Sequence, residues 1–180
     1  MNNMEIELRA KILEPKTIEQ NLKLLPGIVE KKSNDRQIDT YLKHENDKDR
    51  KLVIRLRKNY TNNKATLTFK GKSKGKLDIA WQDYDTPIEN PDILEKVLIN
   101  NGYEYVCLID KVRQSFVYEK FEINIDNIRD LGLFIEIEKY GEEGEVEKIK
   151  NELTDLLNKL GIKNEDIVTQ GYVQLVLNKK

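Results

Sequence analysis

Glu5 and Glu7 stand two residues apart near the start of the chain, in the run EIELRAK. On an extended strand alternate side chains share a face, so Glu5, Glu7, Arg9 and Lys11 project together. Met4, Ile6, Leu8, Ala10 and Ile12 take the other side. Two carboxylates at this spacing lie roughly 6–7 Å apart along the strand. That is near enough to share a divalent cation, and the two cations just beyond could hold an anion beside it. A single charged strand face is usually only solvated, but here the pattern recurs. Arg55 and Arg57 share a face in KLVIRLRK, as do Thr66, Thr68 and Lys70 in ATLTFKG. Lys111, Arg113 and Ser115 align within a long strand pattern from Tyr105 to Tyr118. Glu122, Asn124 and Asp126 align in KFEINIDNI, and Glu136 and Glu138 in LFIEIEK.

The elements that must position these residues follow from periodicity. RQIDTYLK (36–43) reads as a strand with Asp39 and Tyr41 on one face, and LDIAWQDYDT as another with Trp81, Asp83 and Asp85 together. Together with the strands above, eight strand patterns are present. Three amphipathic helices interrupt them. The first has Thr17 and Gln20 at capping-box spacing, an Ile18, Leu22, Leu25 stripe, and a stop at Pro26-Gly27. The second opens at Asn90-Pro91, presents Ile93, Leu94, Val97 and Leu98, and ends at Gly102. The third spans Glu145 to Leu160 with Val146, Ile149, Leu153, Leu156 and Leu160 at helical spacing, ended by Gly161. A shorter helix is expected around Gly171 to Leu177. GKSKGK (71–76) is one residue too short for a phosphate loop, and no Ser or Thr follows it; it reads as a hairpin tip.

Composition removes several classes of function. With 31 Lys and Arg against 32 Asp and Glu, the chain is not a general nucleic-acid coat or a polybasic membrane binder. One cysteine, Cys107, lies in the apolar run YVCLI; it excludes an internal disulfide and a multi-cysteine zinc site, and reads as a buried structural thiol. One histidine, His44, in the polar stretch KHENDKDRK, excludes a histidine-rich metal centre. No signal peptide or membrane-length apolar run is seen, so a cytoplasmic location is expected. At 180 residues the chain reads as one domain, 1–180.

Successive strands with helices folded between them predict an α+β fold whose antiparallel sheet closes into an eight-stranded barrel. The helices need apolar partners, and the apolar strand faces are available to them. Covering those faces from outside would turn the charged faces inward and line a solvated tunnel. The alternative is a half-solvated sheet with its charges in bulk water. A tunnel of like-signed cations would repel itself, so the mixture of signs fits a chain of phosphates with its divalent metal. Oxygen-only ligands suit Mg²⁺ or Mn²⁺.

With these residues in hand, the sequence resembles the CYTH domain of the triphosphate tunnel metalloenzyme superfamily, which includes class IV adenylyl cyclases, thiamine triphosphatases and inorganic triphosphatases. The likeness covers essentially the whole chain and rests on EIELR, DTYL, IRLR, LTFKG, DKVRQSF and, most specifically, DLGLFIEIE. It implies metal ligation by Glu5, Glu7, Glu136 and Glu138 with Asp126 assisting, and triphosphate binding by Arg55, Arg57, Lys70, Lys111 and Arg113. Arg9, Lys11 and Lys111 are the candidates for proton handling. Arg9 stands where the family's E-x-E-x-K has lysine, and an arginine is a poor proton acceptor. Trp81, Asp83 and Asp85 replace R-x-E-x-E, while Gly171 and Gln174 replace the Ser and Glu of the S-Y-x-E-L tail. Among the resembling branches the class IV cyclases come first: attack by the ribose 3′-OH of ATP on the α-phosphorus would give cyclic AMP and pyrophosphate. The alternatives are a triphosphatase acting on tripolyphosphate, thiamine triphosphate or nucleoside triphosphates, and a non-catalytic polyphosphate- or nucleotide-binding module. A homodimer is compatible with the architecture; neither nucleic acid nor membrane is an expected partner.

Overall fold

The computed structural model of the chain describes residues 4–47, 53–70, 80–81 and 83–179. In chain order the elements are β1 (Met4–Lys11), α1 (Pro15–Leu24), β2 (Val29–His44), β3 (Val53–Asn59), β4 (Lys64–Lys70), β5 (Ala80–Trp81), β6 (Asp83–Ile88), α2 (Pro91–Asn100), β7 (Tyr103–Tyr118), β8 (Phe121–Ile128), β9 (Gly132–Gly141), α3 (Val146–Leu160), β10 (Ile167–Val168) and α4 (Tyr172–Asn178). All strands join one antiparallel sheet, ordered β10-β1-β9-β8-β7-β2-β3-β4-β6, with β5 paired to β1 off that path. The α+β expectation holds.

The closed eight-stranded barrel does not. Nine strands lie on the continuous path, and no ladder among the described residues joins β6 back to β10 or β1. The reason is visible along the outer edge of β1. Arg9 and Ala10 pair there with β10, while Glu5 and Ile6 pair with β5, so no full-length strand can dock. The sheet curls until β5 touches β1 over two residue pairs and stops short of a complete seam.

Helices cover the outer face as their apolar stripes require. Ile6, Ala10, Ile123, Ile135 and Ile137 are fully buried under α1 and α3, against Ile18, Leu22, Ile149, Leu153 and Leu157. The fit is close at Gly141, where a Cβ would stand 2.2 Å from Ile149 Cδ1, so the end of β9 approaches α3 nearer than any side chain allows. Gly161 ends α3, as read from the sequence, and does so in a left-handed cap at φ 94°. A second outer cluster packs Leu42, Ile54, Leu56 and Leu67 beneath Leu94, Leu98 and Ile99 of α2. Ile93 and Val97, read as part of that stripe, instead face solvent at 58 and 48 % exposure.

Three local expectations also shift. The first helix begins at Pro15 in its first turn, two residues before Thr17, whose hydroxyl donates to the Glu14 carboxylate at 3.1 Å instead of capping the helix. Strand β2 starts seven residues before Arg36, because Val29 to Asp35 pair with β7 through register shifts that spoil simple alternation. The inner face is not charged throughout. Tyr41, Cys107, Ile109, Ile128 and Phe134 form an apolar cluster into which α4 packs Tyr172. The run 71–76 lies outside the described residues, as do residues 48–51 of the polar stretch.

Candidate functional site

Antiparallel register assembles the site. Opposite one another lie Glu7 and Glu138, Arg9 and Glu136, Arg113 and Asp126, Asp39 and Arg57, and Arg55 and Thr68. Residues directly opposite on neighbouring strands are close enough to touch, so strands distant in sequence bring acids to bases along one inner face.

Glu5, Glu7 and Glu138 converge. Each offers a carboxylate oxygen, and the three atoms lie within 4.8 Å of one another. Such crowding of like charges is unfavourable. Burial, then Glu5 and Glu122 beside it, push the Glu138 carboxyl up to about 10. A group held in that condition takes either a proton or a cation. The donor set is oxygen-only and gathered from two adjacent strands, which fits a hard divalent ion such as Mg²⁺ or Mn²⁺.

Glu136 and Asp126 are placed differently. Arg9 Nε donates to Glu136 Oε1 at 2.7 Å, and Arg113 reaches the other carboxylate oxygen. Burial alone would raise the Glu136 carboxyl; Arg9, Arg113 and Lys111 hold it well below the usual carboxylate range. Asp126, fully buried, accepts both arms of the Arg113 fork at 2.6 Å and the Lys111 ammonium at 2.9 Å. Both acids therefore orient cations in this structure, next to the carboxylate trio and not within it.

The cations are similarly engaged. Arg57 donates two bonds of 2.7 Å to Asp39, which is 1 % exposed and is held below its normal range by Arg57, Lys111 and Arg55 against the cost of burial. Arg55 donates to Thr68 Oγ1 at 2.9 Å and lies 3.9 Å from Asp85. Lys111 is 2 % exposed; burial and the neighbouring Arg113 lower its ammonium to about 8, despite the attraction of Asp126. Arg9 also donates to Glu7 at 2.9 Å and to the backbone oxygen of Gln170 at 3.0 Å, and lies 4.1 Å over the Tyr172 ring.

Of the residues singled out from sequence, Glu5, Glu7, Glu136, Glu138, Asp126, Arg9, Arg55, Arg57, Lys111 and Arg113 are brought to this inner face. Lys11 is exposed at the end of β1, opposite Phe134. It sits four residues past Glu7, about 13 Å along the strand. The side chains of Lys70, Trp81 and Asp83 lie outside the described residues. Three participants were not picked out. Asp39 was legible as an inner-face acid, but only register reveals Arg57 opposite it. Glu122, which loads Glu138, shares the face of Asp126. Tyr172 offered no charge pattern at all.

Comparison with known proteins gives a consistent family. The family model for the CYTH domain matches residues 3–172. A Methanocaldococcus jannaschii protein named "Putative adenylate cyclase" is 27 % identical over 174 residues, covering 96 % of this chain and 98 % of its own. A conserved protein of unassigned function from Pyrococcus furiosus superposes with a TM-score of 0.84 at 20 % identity, over 95 % of this chain and 99 % of the other. A Hippeastrum protein, described as revealing a dominant triphosphatase activity, superposes with a TM-score of 0.68 at 17 % identity, over 98 % and 95 %. At these identities the superpositions speak to fold.

Proposed function

The chain belongs to the CYTH domain family, and from that premise we infer that it is a divalent-metal-dependent enzyme acting on a triphosphate, with ATP cyclisation to cyclic AMP and pyrophosphate as the leading reaction. The observation that carries the reading is the meeting, on one curled inner face, of the Glu5, Glu7, Glu138 trio with Arg55, Arg57, Lys111 and Arg113. The name carried by the archaeal relative supports the cyclase.

Glu5, Glu7 and Glu138 would hold the cation, which when bound neutralises phosphate charge and lowers the pKa of an attacking hydroxyl or water. The protein's own side chains do the rest. Arg55 and Arg57 on β3 and Lys111 and Arg113 on β7 lie on either side of β2 along the inner face, and these four, with Lys70 as the resemblance implies, grip phosphoryl oxygens and stabilise charge moving to the leaving group. Asp39, Asp126 and Glu136 fix the guanidinium planes in advance, which limits reorganisation during reaction. Of the three candidates for proton handling, Arg9 stays charged and fully engaged, and Lys11 is remote. Lys111 is left, and an ammonium lowered to about 8 can both hold and release a proton near neutral pH.

One observation favours triphosphate hydrolysis as the second reading. Among the described residues, the inner-face rings of Tyr41, Phe134 and Tyr172 are packed into the α4 cluster, so none is free to stack a base. The protein incubated with Mn²⁺ or Mg²⁺ and ATP, then with tripolyphosphate, decides. Cyclic AMP with pyrophosphate supports the cyclase and orthophosphate the hydrolase. Tight binding of either ligand with no product refutes catalysis and leaves a binding module.

A further inference from the structure

Arg9 connects two parts of the molecule that share no sequence neighbourhood. Arg9 is 9 % exposed, and among the described residues its guanidinium has four partners: Glu136, Glu7 at 2.9 Å, the Gln170 backbone oxygen at 3.0 Å, and the face of the Tyr172 ring at 4.1 Å. Glu7 belongs to the carboxylate trio, whereas Gln170 and Tyr172 flank the start of α4, with Gly171 between them. Tyr172 is buried, its hydroxyl has no hydrogen-bond partner among the described residues, and its ring meets Phe134 at 5.5 Å. The first turn of α4 is therefore fastened to the inner face by apolar packing, by Arg9 and, more distantly, by the Lys111 ammonium 5.5 Å from the ring, rather than by its own phenol.

We propose that Arg9 is a positioning residue that couples occupancy of the Glu5, Glu7, Glu138 trio to the seating of α4. The proposal rests on the reading of that trio as a cation site. In this structure Arg9 divides its donors among Glu136, Glu7 and α4. A divalent cation bound to Glu7 draws off that negative charge and places a like charge beside the guanidinium. Arg9 then leans on its remaining partners, and its bond to the Gln170 oxygen and its contact with the ring strengthen. By linkage the effect runs both ways: a seated α4 keeps Arg9 off Glu7 and so favours the cation. A lysine has no planar fork with which to reach Glu136, Glu7 and Gln170 together.

The test is amide hydrogen exchange of residues 172–178 with and without Mn²⁺, with Mn²⁺ affinity measured in parallel by calorimetry. In the wild-type chain Mn²⁺ slows this exchange by about fivefold or more. In Arg9→Lys, exchange is faster and no longer responds to Mn²⁺. A purely packing role for Arg9 would shift exchange equally in both conditions, and equal slowing by Mn²⁺ in the two proteins overturns the coupling. Mn²⁺ binding without any change in α4 also overturns it, while leaving the cation site intact. No Mn²⁺ binding at all removes the cation site and the coupling with it. Should Arg9→Lys not fold, Tyr172→Leu decides: it keeps the apolar bulk but removes the aromatic face, and it weakens Mn²⁺ binding about fivefold. Unchanged affinity in that variant overturns the proposal.

Discussion

Replacing Glu138 with glutamine removes a carboxyl that the fold keeps protonated at a cost. Burial and the neighbouring Glu5 and Glu122 raise this group from its usual 4.5 to about 10. The folded state therefore binds a proton that the unfolded chain releases above pH 4.5, and between those values stability falls as pH rises. At pH 7 the gap from the usual value is about 2.5 pH units, which at 1.36 kcal/mol each sets an upper bound of about 3.4 kcal/mol. Glu138 is half-buried, so water reaching it reduces this to about 2 kcal/mol. Without metal, Glu138→Gln should thus melt about 4–8 °C above the wild type at pH 7. At pH 5 the gap is only about half a unit, and the advantage should shrink to under 1 kcal/mol. Thermal denaturation followed by circular dichroism in EDTA at both pH values provides the measurement. Adding Mn²⁺ should raise the wild-type midpoint by mass action and leave the variant nearly unmoved. A variant no more stable than wild type at pH 7, or one whose advantage is the same at pH 5, would refute the crowded-carboxylate argument.

Two residues earlier on the same strand the identical substitution should have the opposite sign. Glu136→Gln strips a buried anion from Arg9 and Arg113 and should cost about 3–5 kcal/mol, read as a lowered melting midpoint. Arg57→Ala should weaken tripolyphosphate binding far more than orthophosphate binding in calorimetry, and equal losses would argue against a polyphosphate grip. With the Lys111 ammonium lowered to about 8, kcat/KM for the triphosphate should fall as pH rises through that value and the protein loses a cation. Lys111→Met should lower kcat/KM at neutral pH and abolish that limb.

Much of this was legible in the chain because alternation and helical spacing report burial directly. Met4 to Lys11 displays both its faces in eight letters, and the α3 stripe, including Leu153 and Leu160, is buried as its spacing requires. The first half of β2 was not legible: VEKKSND carries no apolar alternation, since its outward residues are exposed and its ladder to β7 slips twice. Strand β10 is two residues long, too short for any periodic signal, and LDIAWQDYDT read as one strand where the structure pairs β5 with β1 and β6 with β4; these short pairings decide whether the sheet closes. Nor could spacing distinguish Glu138, crowded by other carboxylates, from Glu136, gripped by two arginines. The two sit on one strand face, and their fates are set by β1 on one side and, on the other, by β8 for Glu138 and by Arg113 of β7 for Glu136. The helix at the tail was readable as a helix, but its destination was not. Nothing in GYVQL says that its tyrosine will sit beneath Arg9.

The pairing of the described guanidinium groups with internal acids has a consequence for discrimination. Arg9, Arg57 and Arg113 each already clasp a carboxylate, so a small anion drifting in must evict a resident before it gains a partner. A lone orthophosphate can challenge one such clasp at a time. A three-phosphate chain contests several together, and the evicted acids become neighbours for the counter-ion that travels with it. If the proposed function holds, such an interior should favour a visitor long enough to unlock it at several points over a single small anion.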